Sequence, residues 1–329
     1  MNCRNLTKSC SPTYRCILYN ILILGSFLRL CWIYRYEQLK IELEIQRLEQ
    51  RYHDFRKLGA KIDDVRAELM DNGGTKAIVK PFTTMYPEYL VSTRHRLSIC
   101  LIPKNMSTLM TRIFCLLNRS LEKGMQNRKL TESMERDCAL PIRYSTLVQV
   151  QARISGDTAR QNLILTREPM ERFLSAFLML CIVRLDDCFG CYKNMECVSE
   201  MLLIHSQRYA SGDHTVEGNA LWHMAPQNWH CNLQGATQEY EYLDYSPLQG
   251  RKFSEKLKVH LEKANVENST VSKIIEDMGN NFTGHQTILE PQRNYYAEKL
   301  LNSKKIRRNL LYVYFYDYVL FGYEFPDVY

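Results

Sequence analysis

The chain has 329 residues, of which 45% are hydrophobic and 24% are charged, and this composition excludes a disordered or collagen-like protein. The 43 Lys and Arg residues outnumber the 36 Asp and Glu residues. The resulting net charge of +7 suits an acidic substrate but is too small to indicate nucleic-acid binding. A mean hydropathy of −0.34 excludes a protein with several membrane spans.

An apolar run near the N-terminus predicts one membrane-spanning helix. Residues 17–34 would form about 27 Å of helix, which is enough to cross a thin secretory-pathway bilayer. Basic but no acidic residues precede the run, so we expect a cytosolic tail (1–15), a signal anchor (16–34) and a lumenal remainder. A cleaved signal peptide is the alternative, although Arg29 rather than a small-residue cleavage site follows the apolar core.

The next segment has the repeat of a coiled coil. In residues 35–70, apolar side chains recur three and four positions apart, which predicts a stem of about four heptads and, as a hypothesis, a parallel homodimer. A single amphipathic helix packed on the rest of the chain is the alternative. Gly and Pro in residues 71–92 predict a linker to a lumenal domain, residues 93–329.

The cysteines and glycosylation sequons agree with a lumenal domain. Its eight cysteines are Cys100, Cys115, Cys138, Cys181, Cys188, Cys191, Cys197 and Cys231. Their even number suggests disulfides but leaves the pairing open. The group Cys188, Cys191 and Cys197 could instead begin a zinc site, but no further pair with familiar spacing completes it. Sequons occur at Asn105, Asn118, Asn268 and Asn281.

The first candidate phosphate site follows a short apolar strand, residues 97–102. P-K-N-M-S-T (103–108) comes next, and apolar residues at helical spacing follow it. The helix N-terminus would offer N–H groups and a positive dipole to a phosphate, Lys104 a cation, and Ser107 and Thr108 two hydroxyls. The likeness to a nucleotide P-loop is partial because this turn has no glycine, and a purely structural turn is the alternative.

The second candidate site has the same layout. The predicted strand 161–166 ends at Arg167, and a proline suits the first position of the next helix, which carries Ser175. Ligands of open α/β sheets bind beyond the carboxyl ends of strands, so two basic strand ends predict a site for a doubly phosphorylated nucleotide. Alternatively, Arg167 forms an ion pair with Glu171, and we expect Arg172 to be a solvated surface charge.

Together these motifs resemble a known family. P-K-N-M-S-T (103–108) and R-E-P-M-E-R-F-L-S (167–175) are similar to the 5′-phosphosulfate and 3′-phosphate motifs of Golgi carbohydrate sulfotransferases, especially the chondroitin branch. H-M-A-P-Q (223–227) and Y-D-Y-V-L-F-G-Y (316–323) are similar to further segments of that family. Met224 stands where the family has Trp, which would alter the acceptor pocket, and Glu168 stands where Asp is more frequent.

The resemblance implies a fold, a donor and a set of site residues. The fold is α/β, with a P-loop-like, mainly parallel central sheet flanked by helices. The donor is 3′-phosphoadenosine 5′-phosphosulfate (PAPS), and no metal is required. The implied donor-binding residues are Pro103, Lys104, Asn105, Met106, Ser107, Thr108, Arg167 and Ser175. Lys104 would also act catalytically on the leaving oxygen, and His223 would be the general base.

Two further expectations concern Asn105 and the histidines. A glycan on Asn105 would block the donor loop, so we expect this sequon to be unmodified. A lone histidine is often only a packed residue, which is the alternative for His223. Weaker candidates for the base are His205, His214, His230 and His285.

The expected function is transfer of a sulfonyl group from PAPS to a glycan hydroxyl, with chondroitin or a related glycosaminoglycan as acceptor. We expect a single-pass type II Golgi membrane protein whose catalytic domain is lumenal, with no nucleic-acid partner. The basic segment 299–308 would guide the polyanion or form a solvated helix face. The alternatives are an inactive membrane-anchored coiled-coil adaptor and a P-loop kinase, for which no Mg²⁺-binding Asp motif is recognisable.

Overall fold

The computed structural model describes residues 78–119, 142–154, 160–234, 237–245, 250–280 and 290–328. The predicted cytosolic tail, membrane anchor and coiled-coil stem lie outside these ranges, so all three remain predictions. None of the helices within the described ranges is long and apolar enough to cross a membrane.

A five-stranded sheet forms the centre of the described part of the chain. Its strands are β1 (Tyr89–Ser92), β2 (Leu97–Cys100), β3 (Arg143–Tyr144), β4 (Gln161–Thr166) and β5 (Glu241–Asp244), in the order β3-β1-β2-β4-β5. β2, β4 and β5 are parallel neighbours, whereas β1 runs antiparallel to both β2 and β3. The expected α/β fold is confirmed, and four of these five strands share one direction. β1 lies in the range predicted as linker.

Helices follow the strands and cover both faces of the sheet. They are α1 (Ser107–Arg119), α2 (Leu147–Arg153), α3 (Pro169–Phe177), α4 (Met195–Ala210), α5 (Asn219–Met224), α6 (Gly250–Lys263), α7 (Asn268–Asn280), α8 (Arg293–Asn302) and α9 (Lys304–Phe321). A π-helical turn, Leu178–Val183, continues α3, and short 3₁₀ turns occur at His214–Val216, Gln227–Trp229 and Thr237–Glu239.

The central strand β4 shows how the sheet is buried. All six of its residues are buried. Leu163 and Leu165 pack in a core with α1, α6 and α7, whereas Ile164 packs in a second core that contains Val150 of α2. Because successive side chains of a strand point to opposite faces, a strand covered on both faces is apolar at every central position. The sheet therefore has two filled faces, and its polar strand ends are left to form a site.

Within the described part of the chain, three disulfides join segments around the sheet. Cys100–Cys231 joins the end of β2 to a segment 131 residues later. Cys181–Cys188 and Cys191–Cys197 close short loops between the π-helical turn and α4. The zinc alternative is therefore wrong, because all three of its cysteines are in disulfides and no metal-binding cluster occurs among the described residues.

The basic segment 299–308 is partly neutralised. Lys305 contacts Glu196 at 3.0 Å and Glu200 at 3.1 Å, which connects α9 to α4. Arg307 donates hydrogen bonds to the carbonyls of Leu301 and Asp327. These contacts reduce the charge that this segment can offer to a polyanion.

Candidate active site

The loop between β2 and α1 has the shape of an anion-binding turn. Lys104 and Met106 have φ angles of 70° and 57°, in the left-handed region that usually favours glycine and costs other residues about 1–3 kcal/mol each. The first helical hydrogen bond runs from the Met110 N–H to the Met106 carbonyl, at 3.0 Å. The N–H groups of residues 107–109 therefore lie at the open end of α1, where they can bind an anion.

Two arginines hold this loop by its carbonyl groups. Arg172 Nε donates to the Pro103 carbonyl and Arg167 Nη1 to the Lys104 carbonyl, each at 3.0 Å. These bonds stabilise a backbone shape for which the chain has no glycine. In a nucleotide P-loop, glycines permit the left-handed backbone. Here the hydrogen bonds from Arg172 of α3 and Arg167 at the end of β4 stabilise it instead.

Arg172 is not a surface charge, so that expectation is wrong. Its side chain is completely buried, and its guanidinium also donates to the carbonyls of Ala225 at 2.7 Å and His223 at 3.2 Å. The reason is that α3 is buried along nearly its whole length. Arg172 thus holds the candidate donor loop, residues 103–108, next to the segment that contains His223.

Gln227 connects the ends of β2 and β4. Its side chain accepts from the Arg167 N–H at 3.0 Å and donates to the Arg167 carbonyl at 2.8 Å. Asn105 Nδ2 donates to Gln227 Oε1 and to the Leu165 carbonyl, both at 2.7 Å. Asn105 thus braces the loop from inside, and its amide is only 2% exposed. The folded site has no room for a glycan there, in line with the expected unmodified sequon.

The C-terminal helix α9 supports the same region from behind. Buried Asp317 accepts from the backbone N–H groups of Gln227 at 2.7 Å and Asn228 at 2.9 Å. Tyr318 donates to Glu168 at 3.0 Å. Just beyond α9, the Tyr323 hydroxyl donates to Asp244 at 2.6 Å and accepts from the Thr166 hydroxyl at 3.0 Å. The Tyr316–Tyr323 segment therefore holds the start of α3 and the end of β4 in position.

Positive charge is concentrated around Lys104. Burial, together with the charges of Arg172, Arg184 and Arg167, lowers its pKa to about 8, while Asp186 acts in the opposite direction. These cations repel one another unless an anion lies between them. The arrangement therefore suits a ligand that carries several negative charges.

His223 lies next to this cluster. Burial lowers its pKa to about 3, with contributions from Lys104, Arg172 and Arg184. Its Nδ1 atom is buried and has no hydrogen-bond partner among the described residues. The imidazole is thus neutral at neutral pH, the form in which a histidine can accept a proton.

The other candidate histidines are placed differently. His230 is only 1% exposed, so it cannot reach an acceptor. The rings of His205 and His214 pack edge-on against Phe189 and Tyr209. His285 lies outside the described residues.

Arg167 and Ser175 belong to the second candidate phosphate site. Arg167 Nη2 lies 3.4 Å from Glu171, so the alternative ion pair is present, and the arginine bonds the donor loop as well. Ser175 is four residues after Glu171 on α3 and therefore lies on the same face of that helix. Arg293 Nη2 contacts Glu171 at 2.7 Å.

Comparison with known proteins agrees with this geometry. The model of the sulfotransferase family matches residues 87–324, which include the donor loop, both arginines, His223 and the C-terminal tail. The chain belongs to the sulfotransferase family.

Relatives of this sulfotransferase-family chain occur in Caenorhabditis elegans. Carbohydrate sulfotransferase chst-1 is 27% identical over 80% of this chain and 83% of its own length. Putative sulfotransferase vep-2 is 24% identical over 64% of this chain and 68% of its own length. The uncharacterized protein C18B2.2 is 25% identical over 84% of this chain and 82% of its own length. No solved structure matches the chain.

Several residues of this sulfotransferase-family site had no role predicted from sequence. Gln227 and Asp317 lay inside the recognised segments, but nothing in their spacing indicated that they contact each other. Arg293 lay in no recognised segment. Met224 is fully buried, so its side chain packs in the protein interior and does not line an open surface.

The lowered pKa of Lys104 predicts an alkaline limit for anion binding by this sulfotransferase-family site. The ammonium is charged below pH 8 and loses its proton above it, so affinity for adenosine 3′,5′-bisphosphate should fall as the pH rises above about 8. Calorimetric titration at each pH measures this. In Lys104→Ala the fall should be absent, and an equal fall in that variant would assign it to another group.

Proposed function

We propose that this chain is a carbohydrate sulfotransferase that transfers a sulfonyl group from PAPS to a hydroxyl of an anionic glycan such as chondroitin. The observation that carries the proposal is the positive charge of Arg167, Arg172 and Arg184 around Lys104, in the loop that leads into the N-terminus of α1. PAPS offers phosphate and sulfate charges for such a cluster. The chst-1 relative, named a carbohydrate sulfotransferase, supports a sugar acceptor.

In this proposal, two strand ends bind the two phosphorylated parts of the donor. Ser107, Thr108 and the N–H groups of α1 would bind the 5′-phosphate, because they lie at the open end of the helix. Arg167 and Ser175 would bind the 3′-phosphate. When bound, PAPS supplies an activated sulfonyl group. Lys104 would neutralise charge on the leaving oxygen, a role that a preorganised cation performs well in a partly desolvated site.

His223 would accept the proton of the acceptor hydroxyl. Its pKa of about 3 is lowered by burial and by neighbouring cations. The negative charges of the donor would offset those cations, so the imidazole should become more basic when the site is filled.

The acceptor side combines an aromatic ring with a cation. Trp222 is half-buried, and its ring centroid lies 4.6 Å from that of His223. Arg184, 51% exposed, is close enough to lower the pKa of His223. Asp186 accepts from Asn219 at 2.9 Å, which connects the Arg184 loop to α5. An acidic sugar could stack on Trp222 and pair with Arg184, which favours a glycosaminoglycan acceptor.

We also propose that the enzyme is a type II Golgi membrane protein with a lumenal catalytic domain. The three disulfides support an oxidising compartment. The anchor (16–34) and the coiled-coil stem with its homodimer (35–70) are proposed from sequence alone.

The direct test uses the full-length protein with ³⁵S-labelled PAPS and a panel of desulfated glycosaminoglycans. We expect label transfer to one polymer class, and no transfer by Lys104→Ala. If the folded protein does not bind PAPS, the sulfotransferase proposal fails and the adaptor alternative takes its place. Binding without transfer would show that the acceptor lies outside the panel.

Replacing His223 by alanine should lower turnover by about 10²- to 10⁴-fold, the usual contribution of a positioned general base. Affinity for adenosine 3′,5′-bisphosphate should change little, because the imidazole faces the acceptor. Turnover and calorimetric binding are the two measurements. His214→Ala, at an exposed histidine, is the matched control. Near-normal turnover of the His223 variant would exclude it as the base.

A further inference from the structure

Arg293 is a buried cation with an unused donor. It is the first residue of α8, and its side chain is 14% exposed. Nη2 donates to Glu171 Oε2 at 2.7 Å. Nη1 is buried and has no hydrogen-bond partner among the described residues. A buried guanidinium N–H without an acceptor lowers the stability of the folded protein. Its presence in Arg293 therefore indicates that a ligand supplies the acceptor.

Arg167 also has an unused donor, and it contacts the same carboxylate. Its Nη2 also contacts Glu171 Oε2, at 3.4 Å, while its Nε is buried without a partner in the described part of the chain. Burial is the main cause that lowers the pKa of Arg167, and the charge of Arg293 contributes. Two guanidinium groups therefore share one carboxylate and leave an excess positive charge.

Packing between α3 and α8 holds this pair in place. The ring centroids of Phe177 and Tyr296 lie 4.9 Å apart, in an edge-on contact. Tyr296 is three residues after Arg293, and Phe177 is six after Glu171, so the two contacts connect the helices at separate points. The arginine pair is consequently preorganised, which is what tight binding of a compact anion requires.

We propose that Arg293 binds the 3′-phosphate of the donor together with Arg167, as a second arginine that the recognised motifs do not contain. This inference rests on the proposed use of PAPS. A phosphate monoester has three terminal oxygens. These are enough to accept hydrogen bonds from both unused N–H groups and from the Ser175 hydroxyl. Glu171 holds the two arginines together and keeps their forks aligned.

The test compares two ligands that differ only in the 3′-phosphate. Adenosine 3′,5′-bisphosphate and adenosine 5′-phosphate are titrated calorimetrically into the full-length wild type and Arg293→Gln. We expect the variant to lose about 10- to 100-fold of affinity for the bisphosphate, the size of a lost charge-assisted contact. Affinity for the monophosphate should be unchanged. Lys299→Gln, which removes a cation from the same helix, should bind both ligands as the wild type does.

The possible outcomes separate this inference from the proposed function. If the wild type prefers the bisphosphate and Arg293→Gln keeps the full preference, Arg293 is only a structural partner of Glu171 and the inference is wrong. If the wild type shows no preference, use of PAPS itself is wrong. Arg293→Lys keeps the charge but loses the planar guanidinium with its several N–H donors. Its affinity for the bisphosphate should therefore be severalfold lower than that of the wild type. That result decides the matter if Arg293→Gln does not fold.

Discussion

Lys104→Ala should lower turnover by about 10²- to 10³-fold, the effect of removing one preorganised charge-stabilising group from an active site. Lys104 lies in a left-handed turn at the end of β2, where Arg167 and Arg172 hold the neighbouring carbonyl groups.

The same substitution should not destabilise the fold. Burial and three arginines lower the pKa of Lys104 to about 8, so below that pH its charge makes the folded state less stable than an uncharged side chain would. The melting temperature of Lys104→Ala should equal or exceed that of the wild type at pH 7. A marked drop in melting temperature would mean that any lost turnover reflects misfolding, and near-normal turnover would exclude the catalytic role.

Arg172→Ala should have the largest effect on stability. The substitution leaves three buried carbonyl groups, those of Pro103, His223 and Ala225, without their donor. At about 1–3 kcal/mol for each unsatisfied group, the free energy of unfolding should fall by at least about 3 kcal/mol. For a domain of this size the melting temperature should drop by at least about 6 °C.

Thermal unfolding of the full-length protein measures this effect. Arg172→Lys should not restore stability, because an ammonium group lacks the planar fork that reaches several carbonyls at once. Arg208→Ala is the matched control, since Arg208 is half-exposed and pairs with Asp213 on the surface. We expect little change there. An unchanged melting temperature in Arg172→Ala would mean that water replaces the guanidinium.

Local sequence predicted the elements that form the site. β4 was predicted at its observed bounds, and α3 begins at Pro169, the residue expected from the proline. α1 begins at Ser107, so it includes the last two residues of the predicted turn. Val271 and Ile274, three positions apart on α7, both lie in the core, as their helical spacing requires. These features depend on periodicity and on residues a few positions apart, which sequence displays directly.

The charged residues of α3 show the limit of such reasoning. Arg172 was expected in solvent because a charged side chain on a helix is usually exposed, whereas its three carbonyl acceptors come from segments 51 to 69 residues away. Long-range contacts also explain why the loop 103–108 can form without glycine. The left-handed turn at Lys104 is stabilised by guanidinium groups from elsewhere in the chain, not by the flexibility of its own residues.

Sequence by itself therefore determined the α/β class, the strand–turn–helix units and the resemblance that led to the family. Only the tertiary structure decided how the disulfides pair, that Gln227 and Asp317 hold the strand ends together, and that Arg293 joins Arg167 beside Glu171. The physical reason is the distance along the chain over which each kind of interaction acts. Backbone propensity and amphipathic spacing act between neighbours in the chain, whereas hydrogen bonds of buried polar groups form between whichever residues the folded sheet and helices bring together.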